Sequence, residues 1–99
     1  MTTNDETARA IALLEATHEF PCDYPITIIV RNEPKIVAEV RASAEDTLPT
    51  PLPDSACEVV PSSGGKYASI RLRVPCEDAA AVLALYARVR RVTGVIQML

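Results

Sequence analysis

Residues Pro61 to Val74 read Pro-Ser-Ser-Gly-Gly-Lys-Tyr-Ala-Ser-Ile-Arg-Leu-Arg-Val. The small residues at 62–65 tolerate the tight backbone of a hairpin turn. After them two sets of side chains alternate: the apolar set is Ala68, Ile70, Leu72 and Val74, and the opposite set is Tyr67, Ser69, Arg71 and Arg73. A period of two is typical of a strand with one buried side and one solvent-facing side. This strand therefore predicts which face of a sheet is the core.

Around this segment, the sequence predicts three more strands and two main helices. The further strands are Ile26–Arg31, Ala56–Val60 and Val95–Leu99. One helix starts at Asn32-Glu33-Pro34, where asparagine supplies a cap and proline fits the first turn. The other starts at Pro75-Cys76-Glu77-Asp78 and ends in arginines, so that charges at both ends complement the helix dipole.

The order strand, helix, strand, strand, helix, strand predicts an α+β ferredoxin-like βαββαβ sandwich. Right-handed crossovers then place both helices on one face of a four-stranded antiparallel sheet. We expect the first and third strands at the centre and the second and fourth at the edges.

Residues 1–20 predict a short N-terminal helix, in which Thr3 and Glu6 match a capping box. Prolines in Phe20–Pro25 end it. We expect residues 1–18 to form an extension of a ferredoxin-like domain at 19–99. This helix either leaves the second sheet face open or covers part of it. The proline-rich stretch 47–53 predicts a stiff connecting loop.

Composition sets bounds on the function. The 99 residues are 48% hydrophobic and 23% charged, which is typical of one globular domain. A net charge of -3 counts against non-specific binding to nucleic acid or to anionic membranes. No apolar run approaches the roughly 20 residues of a membrane-spanning helix, and the polar N-terminus does not resemble a signal peptide. We therefore expect a cytoplasmic protein.

The residues with reactive side chains are few and scattered. Cys22, Cys57 and Cys76 form no paired Cys-x-x-Cys motif, and His18 is the single histidine, so we expect no metal site and no cofactor. Cys76 lies at a predicted helix start, but the adjacent acidic residues oppose a thiolate there. The aromatic residues needed for RNA stacking and the glycine-rich loop of an acyl-phosphate hydrolase are missing. We therefore predict a non-catalytic protein.

Several motifs resemble the YbeD-like bacterial family of unknown function. They are Phe20-Pro-x-x-Tyr24-Pro-x-x-Ile28, Pro61-Ser62-Ser63 with Gly65-Lys66-Tyr67-x-Ser69, and the closing Val95-x-x-Met98-x. The resemblance covers about residues 19–99. The family's fold is similar to ligand-sensing ACT regulatory domains, which implies a regulatory or binding role, and the family carries no established catalytic residues to transfer.

The second face of the predicted sheet carries a candidate binding site. Arg71, Arg73 and Tyr67 alternate outward on the third strand, and Arg31 should share this face on the first strand. Arginines make bidentate contacts with carboxylates, so these four residues predict a shallow site for an anionic small molecule or an acidic partner segment. The alternative is a solvated sheet face, or one covered by the N-terminal helix through Glu15 and Glu19.

The last strand is a second candidate. Thr93–Leu99 carries no charge, whereas edge strands usually carry blocking charges or proline. Val95, Gln97 and Leu99 could therefore pair with a second copy of the chain or with a partner. The alternative is a terminal edge protected by its short length.

Together these features predict a regulatory or adaptor domain that acts by protein–protein contact. The competing prediction is a module that senses an amino acid or an anionic metabolite, as ACT domains do.

Overall fold

The computed structural model describes residues 2–99, with side chains from Asp5 onward. Its elements are α1 (Thr2–Thr17), β1 (Cys22–Arg31), α2 (Pro34–Glu45), a 3₁₀ turn (Asp54–Ala56), β2 (Cys57–Pro61), β3 (Tyr67–Cys76), α3 (Ala79–Arg90) and β4 (Val95–Met98). The capping-box residue Thr3 lies outside the described side chains.

The sheet has the strand order β2-β3-β1-β4, and its neighbours are antiparallel. The central pair runs in unbroken register from Cys22 opposite Cys76 to Arg31 opposite Tyr67. Helices α2 and α3 contact each other and the central strands. The predicted ferredoxin-like α+β fold, with β1 and β3 at the centre, is confirmed.

The core lies between the sheet and these two helices. Its fully buried larger side chains are Ile26, Ile28, Val30, Val40, Ile70, Leu72, Val74, Val82, Leu85 and Val89. The apolar side of β3 that the alternation predicts is thus the buried side. Burying side chains of this size stabilises a fold by about 1.5–3 kcal/mol each.

Strand β1 begins four residues earlier than predicted, and it includes Pro25. The amides of Thr27 and Arg31 point toward β4, because they donate to Leu99 and Gly94. The backbone nitrogen of Pro25 points the same way, but the pairing with β4 ends at Leu99, opposite Thr27. The missing amide of Pro25 therefore removes no hydrogen bond between the strands. The predicted helix end before this segment is confirmed, whereas the predicted strand start at Ile26 was wrong.

Strand β3 also continues through a proline, up to Cys76. The backbone polar groups of Tyr67 point toward β2, since its carbonyl accepts from the Ser62 amide. The backbone of Pro75 points the same way but lies beyond the last β2 partner, so its missing amide breaks no hydrogen bond between the strands. Helix α3 starts only at Ala79, after Asp78, whose side chain accepts from the Ala81 amide at 2.9 Å. The prediction of a helix start at Pro75–Asp78 was wrong, and Cys76 is a strand residue.

Helix α2 starts without the predicted asparagine cap. Its N-cap is Glu33, which makes no side-chain cap hydrogen bond, and Pro34 follows in the first turn. Asn32 instead joins β1 to the hairpin: its amide donates to the Lys66 carbonyl and its Nδ2 donates to the Gly65 carbonyl.

Helix α1 contacts α3 on the helical side of the sheet. Leu14 packs against the core, and the His18 ring lies 5.0 Å from the Tyr24 ring, centroid to centroid. Among the described side chains, Glu15 and Glu19 form no ion pair with an arginine of the sheet. The alternative in which these two residues attach α1 to the second sheet face is therefore not what the structure has.

The proline-rich loop is tied to α2 by a compact polar cluster. Arg41 donates to the Leu52 carbonyl at 2.6 Å and pairs with Asp54 at 2.9 Å. Glu45 accepts from the Leu52 amide at 2.8 Å and pairs with Arg41 at 3.3 Å. The hydrogen bond to the Asp54 carboxylate is the main reason why the pKa of Arg41 is raised. The buried Leu52 side chain is thereby held in the core.

Candidate binding face

The sheet face opposite α2 and α3 is called the open face here. Strand register identifies its members, because alternate residues point away from the buried set. They are Asp23, Pro25, Thr27, Ile29 and Arg31 on β1, Tyr67, Ser69, Arg71, Arg73 and Pro75 on β3, Glu58 and Val60 on β2, and Gln97 and Leu99 at the C-terminus. All four predicted site residues lie on this face.

Two of the arginines occupy one end of the open face. Arg71 stands opposite Thr27 and Arg73 opposite Pro25. The Arg71 Nη1 lies 3.5 Å from the Glu58 carboxylate on β2, yet the Arg71 side chain remains 58% exposed. Both arginines border a shallow groove that Asp54 and Glu58 also line. This end therefore presents guanidinium groups together with carboxylates.

Arg31 and Tyr67 form the other end. They are direct register partners, and Arg31 pairs loosely with Glu33 at 3.6 Å. The Lys66 ammonium lies 5.6 Å from the centre of the Tyr67 ring, within the range of a cation–π contact. Arg31 and Arg71 are four register positions apart, roughly 13 Å along the strands. The four predicted residues therefore share a face but do not converge on one small-molecule site.

Three apolar side chains that the predicted site did not include cross the open face and are called the apolar strip. Val60 and Ile29 lie on either side of Ser69, between the two ends, and Leu99 lies beyond Thr27 in the row of Arg71. Ile29 is half-buried, Val60 is 37% exposed and Leu99 is 62% exposed. The alternation along β2 could have placed Val60 on the same face as Glu58, opposite the face of Cys57 and Val59. Because the pairing of β1 with β4 was not predicted residue by residue, the strip could not be assembled from sequence alone.

The edge strand β4 contains an irregularity that the sequence did not predict. Its register shifts, so that Ile29 faces Gln97 and Val30 faces Val95, with Ile96 as an extra residue. The shift turns Val95 inward, where it packs half-buried against the core. Bulges of this kind interrupt edge pairing. Gln97 and Leu99 lie on the open face instead.

The groups with displaced pKa values lie away from the open face. Burial above all, together with nearby Cys22 and Asp78, raises the pKa of the Cys76 thiol to about 11. Burial, with a 3.3 Å hydrogen bond to Tyr24, also raises the pKa of the Tyr86 hydroxyl. These shifts favour neutral side chains, which suits packing rather than acid–base chemistry.

Two searches of the described residues gave negative results. No group of three or more His, Cys, Asp or Glu side chains in the described part of the chain could hold a metal ion. None of the helices in residues 2–99 combines the length and the apolar character needed to cross a membrane.

Two comparisons with known proteins are informative. A family model described as "Protein of unknown function (DUF493)" matches residues 15–99. A UPF0250 protein of Paraburkholderia phytofirmans is 35% identical over 60 residues, which are 61% of this chain and 66% of that relative. The aligned part is thus a little under two thirds of the relative's length. These matches confirm the resemblance to the YbeD-like family of unknown function.

Proposed function

We propose that this chain, which belongs to the DUF493 family of proteins of unknown function, is a non-catalytic regulatory or adaptor domain. It acts by binding a segment of another protein on its open face. The observation that carries the proposal is the apolar strip of Ile29, Val60 and Leu99 on a face that also carries three arginines. Sheet faces with exposed apolar area and a polar rim are typical of protein interaction sites.

The charges of the open face indicate the chemistry of the partner. The chain carries a net charge of -3, whereas the open face presents three arginines and two acidic residues, Asp23 and Glu58. A segment with aliphatic side chains and flanking carboxylates would match both the strip and the arginines. The arginines can exchange their long contacts with Glu33 and Glu58 for shorter bidentate ones, since both pairs are solvent-exposed and weak.

A small anionic metabolite is the less favoured ligand. Only Arg71 and Arg73 share a groove, and Asp54 and Glu58 line the same groove. Those carboxylates repel an anion, and the exposed surroundings weaken each ionic contact. An ACT-like sensing role would therefore require a ligand that also satisfies the two acidic side chains, such as an amino acid.

The experiment that tests the proposal captures the partner and then measures its affinity. A photo-crosslinking amino acid replaces Ser69 in the middle of the open face, and in a control it replaces Ala38 on the exposed side of α2. We expect a partner with an acidic segment to crosslink from position 69 and not from position 38. Crosslinking from position 38 alone, or from neither position, would count against the proposal.

The affinity of the purified partner then decides the role of the arginines. The double variant Arg71→Gln/Arg73→Gln should weaken binding about tenfold or more, because it removes two charged contacts. The matched control, Arg88→Gln/Arg90→Gln, removes two exposed arginines of α3 and should leave the affinity within about twofold. Equal weakening by both pairs would indicate only a general charge effect and would contradict the proposed site.

We also propose weak self-association through β4 as a secondary mode of contact. Ile96 is 54% exposed on this outer strand, but the four-residue length and the bulge limit the pairing surface. Native mass measurement at high micromolar concentration should show a dimer that Ile96→Lys abolishes. A monomer at that concentration would contradict this mode while leaving the open-face proposal intact.

A further inference from the structure

Cys22 and Cys76, which are far apart in sequence, are direct neighbours across the central strand pair. Cys22 is the first residue of β1, Cys76 is the last residue of β3, and the register sets them opposite each other. Both point to the helical side of the sheet, since they alternate in phase with the buried Tyr24 and Val74. Both are free thiols.

The pairing geometry suits a disulfide. The amide of Asn32 points toward the hairpin that precedes β3, and Cys22 lies in phase with Asn32 along an unbroken register. Cys22 and Cys76 therefore occupy a hydrogen-bonded pair position, whose Cα atoms are about 5.5 Å apart. Disulfides span Cα separations of about 4.4–6.8 Å, so the Cα spacing suits a disulfide. The Cβ atoms of directly opposite residues are about 4.5–5.5 Å apart, and they must approach by up to about 1 Å to reach the Cβ separation of a disulfide.

The surroundings leave the pair accessible to a small molecule. Cys22 is half-buried and Cys76 is buried, and both line a groove between the proline-rich loop and the start of α3. Other walls of the groove are Leu48, Pro51 and Ala81. A small oxidant can therefore reach Cys22 first, with Cys76 directly behind it.

We propose that Cys22 and Cys76 form a reversible redox-modification site, which hydrogen peroxide or a related peroxide converts to a disulfide. The Cys22 Sγ attacks one peroxide oxygen and the O–O bond breaks. The displaced hydroxide takes the Cys22 thiol proton and leaves as water, and Cys22 becomes a sulfenic acid. The Cys76 Sγ then attacks the Cys22 Sγ, the S–O bond breaks, and the hydroxyl leaves as a second water with the thiol proton. Two thiols and one peroxide thus give one disulfide and two waters.

The bridge would fasten β1 to β3 at the end of the sheet next to the proline-rich loop. It would enclose most of the domain between its two cysteines, and a disulfide that closes a long loop restricts the unfolded chain strongly. The oxidised protein should therefore be more stable to heat, and the groove should lose the two thiols from its wall.

The test uses the full chain with Cys57→Ser, which leaves only the two thiols of interest. After treatment with one equivalent of hydrogen peroxide under native conditions, we expect loss of two hydrogens in mass and loss of both free thiols. A peptide map should link the segments that contain Cys22 and Cys76, and a dithiol reductant should reverse the change. The melting temperature should rise on the order of 10 °C.

The chain with all three cysteines provides an internal control. In an unfolded chain Cys57–Cys76 closes a shorter loop than Cys22–Cys76, so random oxidation favours the former. We expect the native protein to give the Cys22–Cys76 link and the protein in guanidinium to give mainly Cys57–Cys76. A Cys22→Ser variant should show no intramolecular link in the native state.

Three results would overturn the proposal. They are intermolecular dimers, a native link that involves Cys57, and oxidation of Cys22 to sulfenic or sulfinic acid while Cys76 keeps its thiol. Each would show that the two sulfur atoms do not meet in the folded chain.

Discussion

At the scale of single residues, Gly94 is the position where the backbone leaves least freedom. Its φ angle is +100°, and a Cβ atom built there would collide with the Ile36 side chain. Gly94→Ala therefore combines backbone strain with overpacking, and we expect it to lower the free energy of unfolding by about 2 kcal/mol or more.

Gly64 is the matched control, because a Cβ atom there meets nothing within 4 Å and its φ is not positive. Gly64→Ala should change stability by less than about 0.5 kcal/mol. Urea denaturation of both variants measures the difference. Equal stability of the two variants would show that the close approach of Gly94 to Ile36 does not constrain the chain.

The buried thiol of Cys76 makes stability depend on pH at the alkaline end. Its folded pKa is about 11, against an ordinary value of 9.0. Between these values the unfolded chain loses the proton and the folded chain keeps it, so the free energy of unfolding falls as pH rises. The contribution is fully present below pH 9 and is lost as pH rises toward 11.

Denaturation at several pH values checks this dependence. The variant Cys76→Ala should show a flatter profile between pH 9 and 10, where the remaining slope comes from other groups such as Cys57 and Tyr86, whose pKa values burial also raises. An unchanged slope in that variant would assign the alkaline loss of stability to other groups.

Predictions for single residues from sequence succeeded where the chemistry of the side chain itself determines whether it is buried or exposed. The alternation in 67–74 placed Arg71 and Arg73 on the exposed side because neither can be buried without a partner. They failed where the position of a residue depends on which neighbouring strand it pairs with. Cys76 lies in β3 and not at a helix start, since it pairs with Cys22 of β1 and Pro75 lies beyond the last residue of β3 that pairs with β2.

At the scale of elements, the proline-rich loop shows how side chains of α2 fix a connector. Glu45 accepts the Leu52 amide and positions Arg41, which holds the Leu52 carbonyl and Asp54. Glu45→Ala should free the loop, because both contacts to Leu52 depend on this pair. Amide exchange at Leu52 and proteolytic cleavage in 47–53 should both become faster.

Glu39→Ala provides the control for the loop, since Glu39 is exposed on the same helix and makes no ion pair with the described side chains. It should leave exchange at Leu52 unchanged. If the two variants behave alike, the loop is held by its prolines and by Leu52 burial rather than by Glu45.

Element types were predictable, whereas their ends were not. The apolar alternation and the apolar stripe of α2 report burial directly. The length of β1 depends instead on where its partner β4 ends, and this cannot be read from residues 20–25. The predicted capping role of Asn32 was wrong for a similar reason, since its side chain and amide donate instead to the hairpin carbonyls of Gly65 and Lys66.

At the scale of the whole molecule, the order of elements was enough to predict the ferredoxin-like topology. Few arrangements connect this order without crossings. The binding face was only partly predictable, because it combines Ile29, Val60 and Leu99 from three different strands. The position of α1 against α3 also leaves that face available, and the N-terminal sequence alone did not decide this.

The most direct test of the central claim is an NMR titration of the isotope-labelled domain with the acidic segment of its captured partner. If the open face is the binding surface, the largest amide shift changes will fall on Thr27, Ile29, Ser69 and Arg71, and the exposed sides of α2 and α3 will change little. Changes concentrated on α2, on α3 or around the proline-rich loop would contradict the account.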